Sequence, residues 1–262
     1  MHCKNCNTKL IEGNDFCGFC GAKVIRNRLT IKNLFIHITE QFFNYDNKFL
    51  NTFIGIIKNP KDVIDGYING TRKKYINPIS FFAISLTFSG FSIFLIKKFF
   101  IDTIFSENVF GFDNPMSQQI MEQTPKFTLE YNSLILSFLI PLLALISLIV
   151  FYNKKYNYTE HLVIYLYSIS LITIISVVFG LIVLLIEPSA YMYFGLSLNL
   201  LNIIFHCYLL KRIFNLSGSE LLLKFLIFLF VAGIFYIGFS IFVFVILLLT
   251  GVINPQDFAP PS

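Results

Sequence analysis

The sequence predicts an all-α integral membrane protein: a five-span helical bundle with a small N-terminal zinc ribbon and cytosolic interfacial helices. Three observations lead to this fold class. Of the 262 residues, 55% are hydrophobic and 13% are charged, against about 25% charged in an average soluble domain. Five long stretches lack Asp, Glu, Lys and Arg, and two C-x-x-C pairs stand near the N terminus. Such a composition excludes an ordinary soluble enzyme, a disordered chain and a secreted disulfide scaffold.

Each apolar stretch is long enough to cross a membrane as a helix. A hydrocarbon core about 30 Å thick requires about 20 helical residues, and a helix satisfies its own backbone hydrogen bonds there. Between the first two stretches, Asn114-Pro115 predicts a short helix that ends before Pro125. The predicted spans are 79–96, 133–152, 162–186, 191–210 and 225–250, in a membrane domain of 77–252 that follows a ribbon of 1–26 and interfacial helices of 27–76.

Lysine and arginine lie almost entirely on one side of the predicted spans. Of the 20, twelve precede the first span, two follow the second and three follow the fourth, which leaves Lys97, Lys98 and Lys126 for the other side. Cytosolic loops carry the excess of positive charge. We therefore predict a protein of the cytoplasmic (inner) membrane with a cytosolic N terminus and a short extracytoplasmic tail at 253–262.

Four cysteines near the N terminus have the spacing of a metal site. Cys3 and Cys6 form one C-x-x-C pair, and Cys17 and Cys20 form a second. Two such pairs on a short spacer give four thiolates for a tetrahedral zinc ion. A segment this small has no core, so the metal would supply most of its folding free energy. Four thiolates close the coordination sphere, which makes the predicted zinc structural.

Other interpretations of the cysteines are weaker. A disulfide is disfavoured in a reducing cytosol, a redox site needs only one C-x-x-C pair, and an iron–sulfur cluster uses the same ligand type. His2 is an alternative ligand to one thiolate. The residues between the pairs are expected to form a hairpin that turns at Gly13-Asn14-Asp15. Cys207, inside the fourth span, is predicted to be a packing residue.

The ribbon also raises the question of a partner. Cations surround it and would attract phosphates or anionic lipid headgroups equally well. Because the ribbon is tethered to a bilayer, we expect lipid or a cytosolic or membrane protein as its partner, and we expect no nucleic acid. The nearby cations are Lys4, Lys9, Lys23, Arg26 and Arg28.

The segment before the first span has helical periodicity. Apolar residues recur at helical spacing from Thr30 to Phe42 and again from Asn47 to Lys58. Pro60 predicts the start of another helix, because proline is favoured at the first helical position. These helices are too polar and too short to span a membrane. They either lie on the cytosolic headgroups or pack onto the ends of the spans.

A basic stretch with tyrosines and glycines precedes the first span. Its cations match an anionic inner leaflet, where each contributes about 1 kcal/mol, and tyrosine suits the interface. Either of its glycines can end a helix. The stretch is an ordinary basic boundary of a span or a specific lipid or partner site. That candidate site comprises Gly66, Tyr67, Gly70, Arg72, Lys73, Lys74, Tyr75 and Pro78.

Together, the two cysteine pairs, the interfacial helices and the Pro…Gly-Tyr…Gly-x-Arg…Tyr…Pro stretch resemble a group of uncharacterised bacterial membrane proteins. That group is catalogued only as a domain of unknown function. The resemblance covers about the first 90 residues in motif and the rest in hydropathy, and it implies no activity. Five spans with a cytosolic N terminus are also similar, in topology alone, to the Yip family of membrane-trafficking proteins.

Polar residues within the spans are few. Asn199, Asn202 and His206 fall on one face of the fourth span, where they form a candidate path for a substrate or ion. Small and hydroxyl residues on faces of the other spans, such as Ser85, are typical of contacts between membrane helices, and the polar stripe could serve the same purpose. His161, at the start of the third span, is expected at the interface.

Two functions are compatible with these features, and neither is enzymatic, because no catalytic motif is present. The first is a membrane-anchored interaction or scaffold protein, whose zinc ribbon and basic segment recruit protein partners or organise lipid. The second is a transporter or channel for a small molecule or ion that uses the Asn199–Asn202–His206 stripe. The second requires a polar cavity between the spans. The oligomeric state cannot be predicted.

Overall fold

The structure, a computed structural model, describes residues 2–22, 24, 48–101, 104 and 115–249. The chain divides into two units by its internal contacts, Met1–Asn47 and Lys48–Ser262. The helix predicted from Thr30 to Phe42 and the predicted tail at 253–262 lie outside the described residues.

Regular structure in the described ranges is helical, apart from isolated bridge residues near the N terminus, among them an antiparallel bridge between His2 and Lys9. Two short helices come first and five long ones follow, with single 3₁₀ turns at Tyr152–Lys154 and Pro188–Ala190. The α-helices are α1 (Lys48–Lys58), α2 (Pro60–Ile68), α3 (Pro78–Phe99), α4 (Pro115–Val150), α5 (Tyr158–Ile186), α6 (Tyr191–Phe214) and α7 (Gly218–Leu249).

Five helices in the described part of the chain are long and apolar enough to cross a membrane, which indicates a multi-pass membrane protein. Their apolar segments are Pro78–Phe99, Leu129–Val150, Tyr158–Ile186, Pro188–Phe214 and Gly218–Ile241. Five long apolar helices were predicted from hydropathy, so this part of the fold class is confirmed.

Several helices extend a few residues beyond the predicted spans, and the differences are largest at the starts of α4 and α7. The short helix expected to end before Pro125 instead continues through it, and α4 runs unbroken from Pro115 to Val150. The last helix was predicted from residue 225 but begins at Gly218. Hydropathy missed its first turns because they contain Glu220 and Lys224, whose charged groups bond to the connection between α4 and α5.

Local sequence signals set other helix ends. The Asn77 side chain accepts a hydrogen bond from the Ile79 N–H, with Pro78 at the first helical position of α3. At the start of α5, Asn157 and Glu160 form a reciprocal capping box. Asn215 adopts a left-handed conformation after α6. Asparagine tolerates that conformation better than most residues.

Helix α5 is the centre of the bundle and packs against α3, α4 and α6. Its buried side chains include Tyr165, Tyr167 and Leu171, which are at most 1% exposed. The serine face of α3 is also buried, with Ser85 at 0% exposure. Small residues therefore lie where helices meet, as is usual in membrane bundles.

Helices α1 and α2 pack onto one end of this bundle, named here the α1–α2 end. Ile56, Val63 and Ile64 are completely buried in the core cluster that also contains the ends of α4, α5 and α6. The sequence left open whether these helices lie on the headgroups or pack onto the ends of the spans. In the structure they pack onto the spans. Leu50 and Ile54 on α1 are still 49% and 44% exposed.

The contact between α1 and α2 depends on the absence of a side chain at Gly55. A Cβ atom built there would lie 2.8 Å from Cγ2 of the buried Val63 and 3.4 Å from the Tyr75 ring. Real Cβ atoms do not approach other atoms so closely, so alanine at this position would push the two helices apart.

We predict that Gly55→Ala lowers the free energy of unfolding by about 1–2 kcal/mol, because overpacking outweighs the helix propensity gained, about 1 kcal/mol. Gly90→Ala is the matched control, since a Cβ at Gly90 meets no atom within 4 Å. Thermal unfolding in detergent, followed by circular dichroism, measures both. Equal stability of the two variants would contradict the close approach.

Candidate functional site

The two cysteine pairs fold as equivalent turns. In the first, the Asn7 N–H donates to the Cys3 carbonyl, and in the second the Gly21 N–H donates to the Cys17 carbonyl, both at 2.9 Å. Asn7 and Gly21 have φ of 60° and 69°, the left-handed conformation that glycine and asparagine tolerate best. Each turn aims two sulfur atoms in the same direction.

The four thiols converge on one point. Cys3 Sγ lies 3.6 Å from Cys20 Sγ, and Cys6 Sγ lies 3.7 Å from Cys17 Sγ. All four sulfur atoms are within 4.8 Å of one another. Four thiolates at about 2.3 Å from a tetrahedral ion would be about 3.8 Å apart, so the cluster has the dimensions of a metal site. Its four cysteines are free thiols.

Two details of this segment differ from expectation. The turn between the pairs closes with a hydrogen bond from the Asn14 N–H to the Ile11 carbonyl, so its central residues are Glu12 and Gly13, not Gly13 to Asp15. Gly13 has φ of 90°, which fixes the turn there. The group of convergent ligands found among the described residues contains no histidine, so His2 is not part of it.

A second candidate site, the basic stretch before α3, forms a well-bonded loop at the α1–α2 end. Tyr75 is 6% exposed, and its hydroxyl donates to the Asp62 carboxylate, which also pairs with Lys74 Nζ at 2.7 Å. These two groups hold the pKa of the Asp62 carboxyl below its usual value. Arg72 lies over the Tyr67 ring at 5.8 Å.

The backbone of Ile76 fixes this loop to two helices. Its N–H donates to Thr52 Oγ1 on α1 at 2.9 Å, and its carbonyl accepts from the Tyr167 hydroxyl on α5. Thr52 and Tyr167 are completely buried. Because a buried backbone group without a partner is destabilising, these bonds determine where the chain enters α3.

The two glycines of the stretch have different roles. Gly70 has φ of 100° and follows the end of α2, so it acts as the predicted helix terminator. Gly66 does not break the helix: it lies inside α2, and its carbonyl accepts from the Thr71 N–H at 2.7 Å. Pro78 is buried at the first turn of α3.

The predicted site residues in this stretch thus divide into two sets. Tyr67, Tyr75 and the backbone are engaged in internal packing, whereas the side chains of Arg72, Lys73 and Lys74 are exposed. The partners that hold the loop, among them Asp62 and Thr52, were not predicted, because a single threonine or aspartate has no signature in a sequence.

Tyrosines connect α1 and α2 to the rest of the bundle. The Tyr156 hydroxyl donates to Asp65 Oδ1 at 2.8 Å, and the Tyr208 hydroxyl donates to the Ile57 carbonyl at 2.9 Å, near the end of α1. Burial raises the pKa of the Asp65 carboxyl, and the bond from Tyr156 opposes that rise. Burial also raises the pKa of Tyr156.

The intramembrane stripe makes hydrogen bonds within the protein. His206 Nδ1 bonds to the Asn202 carbonyl at 2.9 Å, and His206 Nε2 bonds to Ser168 Oγ at 3.1 Å. Asn199 Nδ2 donates to the Gly195 carbonyl at 3.1 Å. The Asn202 side-chain oxygen is buried and has no partner.

A cavity of about 580 Å³ adjoins this stripe. All five long helices contribute to its wall, which is mainly apolar and includes Asn199, Asn202 and His206. Lys224 lines it at the α1–α2 end, and Tyr191 lines it near the opposite end. The structure therefore brings the predicted stripe to a space that could accommodate a small molecule.

His161, predicted to lie at the membrane interface, is completely buried within the protein between α4 and α5. Its Nδ1 atom lies 2.9 Å from Ser147 Oγ, while Nε2 has no partner. The polar Asn157-Tyr158-Thr159-Glu160 sequence beside it gave no sign of this burial. The chain turns back over α5 there, and Tyr156 and Phe214 cover the ring.

Part of the chain matches a known family model. Residues 46–90 match the model of a family described as a protein of unknown function (DUF3667). This stretch includes α1, α2, the loop held by Ile76 and the first half of α3, and the match fits the expected resemblance to an uncharacterised domain family. No curated protein and no solved structure matches the chain.

Thr52→Val should destabilise the protein by about 1–3 kcal/mol, because the isosteric valine leaves the buried Ile76 N–H without an acceptor. Thr87→Val on α3 is the matched control, since that hydroxyl is exposed and donates only within its own helix, to the Ala83 carbonyl. It should change stability by less than about 0.5 kcal/mol. Denaturant titration of both purified variants measures the difference. Similar losses would rule out a special role of Thr52.

Proposed function

We propose that this protein binds a small molecule in the cavity that the five helices α3 to α7 enclose, and that it acts as a carrier or transporter in the membrane. The cavity itself is the observation that supports the proposal. Its volume of about 580 Å³ falls in the range of small-molecule sites, about 300–1,000 Å³, and such sites combine apolar walls with a few polar groups.

Of the two functions compatible with the sequence, only the transporter required a cavity along the polar stripe of the fourth span. A bundle packed solid around Asn202 and His206 would have opposed it. In the orientation predicted from the positive charges, the α1–α2 end faces the cytosol, and the membrane is the cytoplasmic one.

Gly195→Phe tests this function by filling the cavity. Gly195 lines it, and a Cβ at this position meets no atom within 4 Å, so the ring can enter without displacing the backbone. We expect at least about a tenfold loss, or about 1.4 kcal/mol, of any small molecule retained through purification. Mass spectrometry of extracts from the purified protein measures the retained molecules.

Gly233→Phe is the control, because Gly233 also faces open space but does not line the cavity. Retention should match that of the unsubstituted protein. If both variants retained the same molecules in the same amounts, the cavity would not be the binding site.

A second function, recruitment of a protein partner or organisation of lipid by a zinc ribbon, is supported by a separate observation. The sulfur–sulfur distances at Cys3, Cys6, Cys17 and Cys20 suit a tetrahedral ion. In this proposal these four residues hold a structural zinc, which would supply the folding free energy of a segment without a core. The exposed Arg72, Lys73 and Lys74 would contact anionic lipid or the partner.

Metal analysis tests the ribbon. We expect about one zinc per chain in the protein as purified, and its loss in Cys3→Ser/Cys6→Ser, because two thiolates cannot complete the tetrahedron. Cys207→Ser is the control and should retain the metal. Elemental analysis measures zinc and iron together. Iron with visible absorbance would indicate an iron–sulfur cluster instead of zinc. If the double variant kept its co-purifying partners, recruitment through the ribbon would be excluded.

A further inference from the structure

Lys224 is a buried cation at one end of the cavity. It lies in the second turn of α7, is 9% exposed, and lines the cavity at the α1–α2 end. Its ammonium donates to the Val150 carbonyl at 2.6 Å and to Asn153 Oδ1 at 3.1 Å. Both acceptors are uncharged.

The carboxylate nearest in sequence forms its ion pair with another cation and attracts Lys224 only through space. Glu220, one turn earlier on α7, pairs with Lys154 at 2.8 Å. In the described part of the chain no carboxylate contacts Lys224, and the rings of Phe151 and Tyr152 lie 5.7 and 5.8 Å from its nitrogen. An ammonium has three donors, and two are used here. Burial of a charge without a directly bonded counter-ion is unfavourable, so the free donor of this ammonium favours an anion.

The cavity extends from Lys224 along most of the bundle. On α6 it is lined from Tyr191 to Leu210, about 28 Å at 1.5 Å per residue. Its opposite end is bounded by Ile96 and Leu129. A volume of about 580 Å³ spread over this length describes a long and narrow space. Its length is close to the thickness of a hydrocarbon core, about 30 Å.

The wall offers few strong hydrogen-bonding groups to a polar solute. Both ring nitrogens of His206 are bonded within the protein. Asn199 donates to the Gly195 carbonyl, and Asn132 donates to Ser89 Oγ at 2.7 Å. Hydroxyl groups and the side-chain oxygens of Asn132, Asn199 and Asn202 remain, among mostly aliphatic and aromatic side chains. An ion or a sugar would lose its hydration here with little in return.

We propose that the cavity holds an elongated anionic amphiphile, with a single hydrocarbon chain along α6 and a carboxylate or phosphate headgroup at Lys224. This inference rests on the proposed function, because it identifies the class of molecule that the same cavity binds. The apolar wall accommodates the chain, and the buried ammonium supplies a charge-assisted hydrogen bond to the headgroup.

Binding measurements on the full-length protein in a neutral detergent test the chemistry of both ends. A sixteen-carbon fatty acid and a lysophosphatidic acid with the same chain share an anionic headgroup but differ in its source, carboxylate or phosphate. A monoacylglycerol with that chain lacks the charge, and inorganic phosphate lacks the chain. We expect one or both anionic amphiphiles to bind at least about tenfold more tightly than the monoacylglycerol, and phosphate alone not to bind.

Substitutions at Lys224 locate the headgroup. Lys224→Met keeps the length of the side chain but removes its charge, so anionic amphiphiles should bind about tenfold more weakly while the monoacylglycerol is unaffected. Lys224→Arg should stay within about threefold of the unsubstituted protein. Lys211→Met removes an exposed cation in the last turn of α6 that does not line the cavity, and it should have no effect. Unchanged binding of monoacylglycerol also reports that Lys224→Met is folded.

The outcomes distinguish the two proposals. Equal binding of fatty acid and monoacylglycerol, insensitive to Lys224→Met but abolished by Gly195→Phe, would overturn the anionic class and leave the binding function intact. Binding that Gly195→Phe does not affect, or binding of none of the probes and no retained molecule, would overturn both.

Discussion

The placement of the first long helix depends on the backbone of one residue. Ile76 gives its N–H to Thr52 on α1 and its carbonyl to Tyr167 on α5. In an apolar environment an unpaired backbone group is strongly unfavourable, so the loop has few alternatives to this position. Asp62 and Tyr75 close the same loop from the other side. The family match at residues 46–90 covers α1, α2, this loop and the first half of α3.

The cavity lies beyond this closely packed end, in a part of the bundle where the helices are packed less closely. Helix α5 is densely surrounded, whereas α6 and α7 have few buried residues in their apolar segments, which leaves space between them and the rest of the bundle. The polar side chains of the stripe in the fourth span, which the sequence suggested for transport, are largely hydrogen-bonded within the protein. In the proposal made here, the buried charge of Lys224 at the end of the space therefore selects the molecule that the cavity binds.

Prediction of individual site residues succeeded where a pattern repeats and failed where a single residue acts at long range. Two C-x-x-C pairs define a convergent site through local turns, and the structure brings all four sulfurs together. Lys224 was counted only as a flanking positive charge, and its contact with the end of α4 joins residues 74 positions apart. The burial of His161 was not predicted either, because the rings of Tyr156 and Phe214 that cover it come from other parts of the sequence pattern.

The sequence by itself determined the number of long apolar helices, the cysteine pairs and the helix start at Pro60, because each is recorded in neighbouring residues. Hydropathy adds up along one helix, and a capping or turn residue acts within a few positions. The tertiary structure alone decided which faces of the helices separate to form a cavity, and that α1 and α2 pack onto the bundle. These features depend on contacts between residues far apart in the chain, whose individual energies are too small and too similar to be read from composition or periodicity.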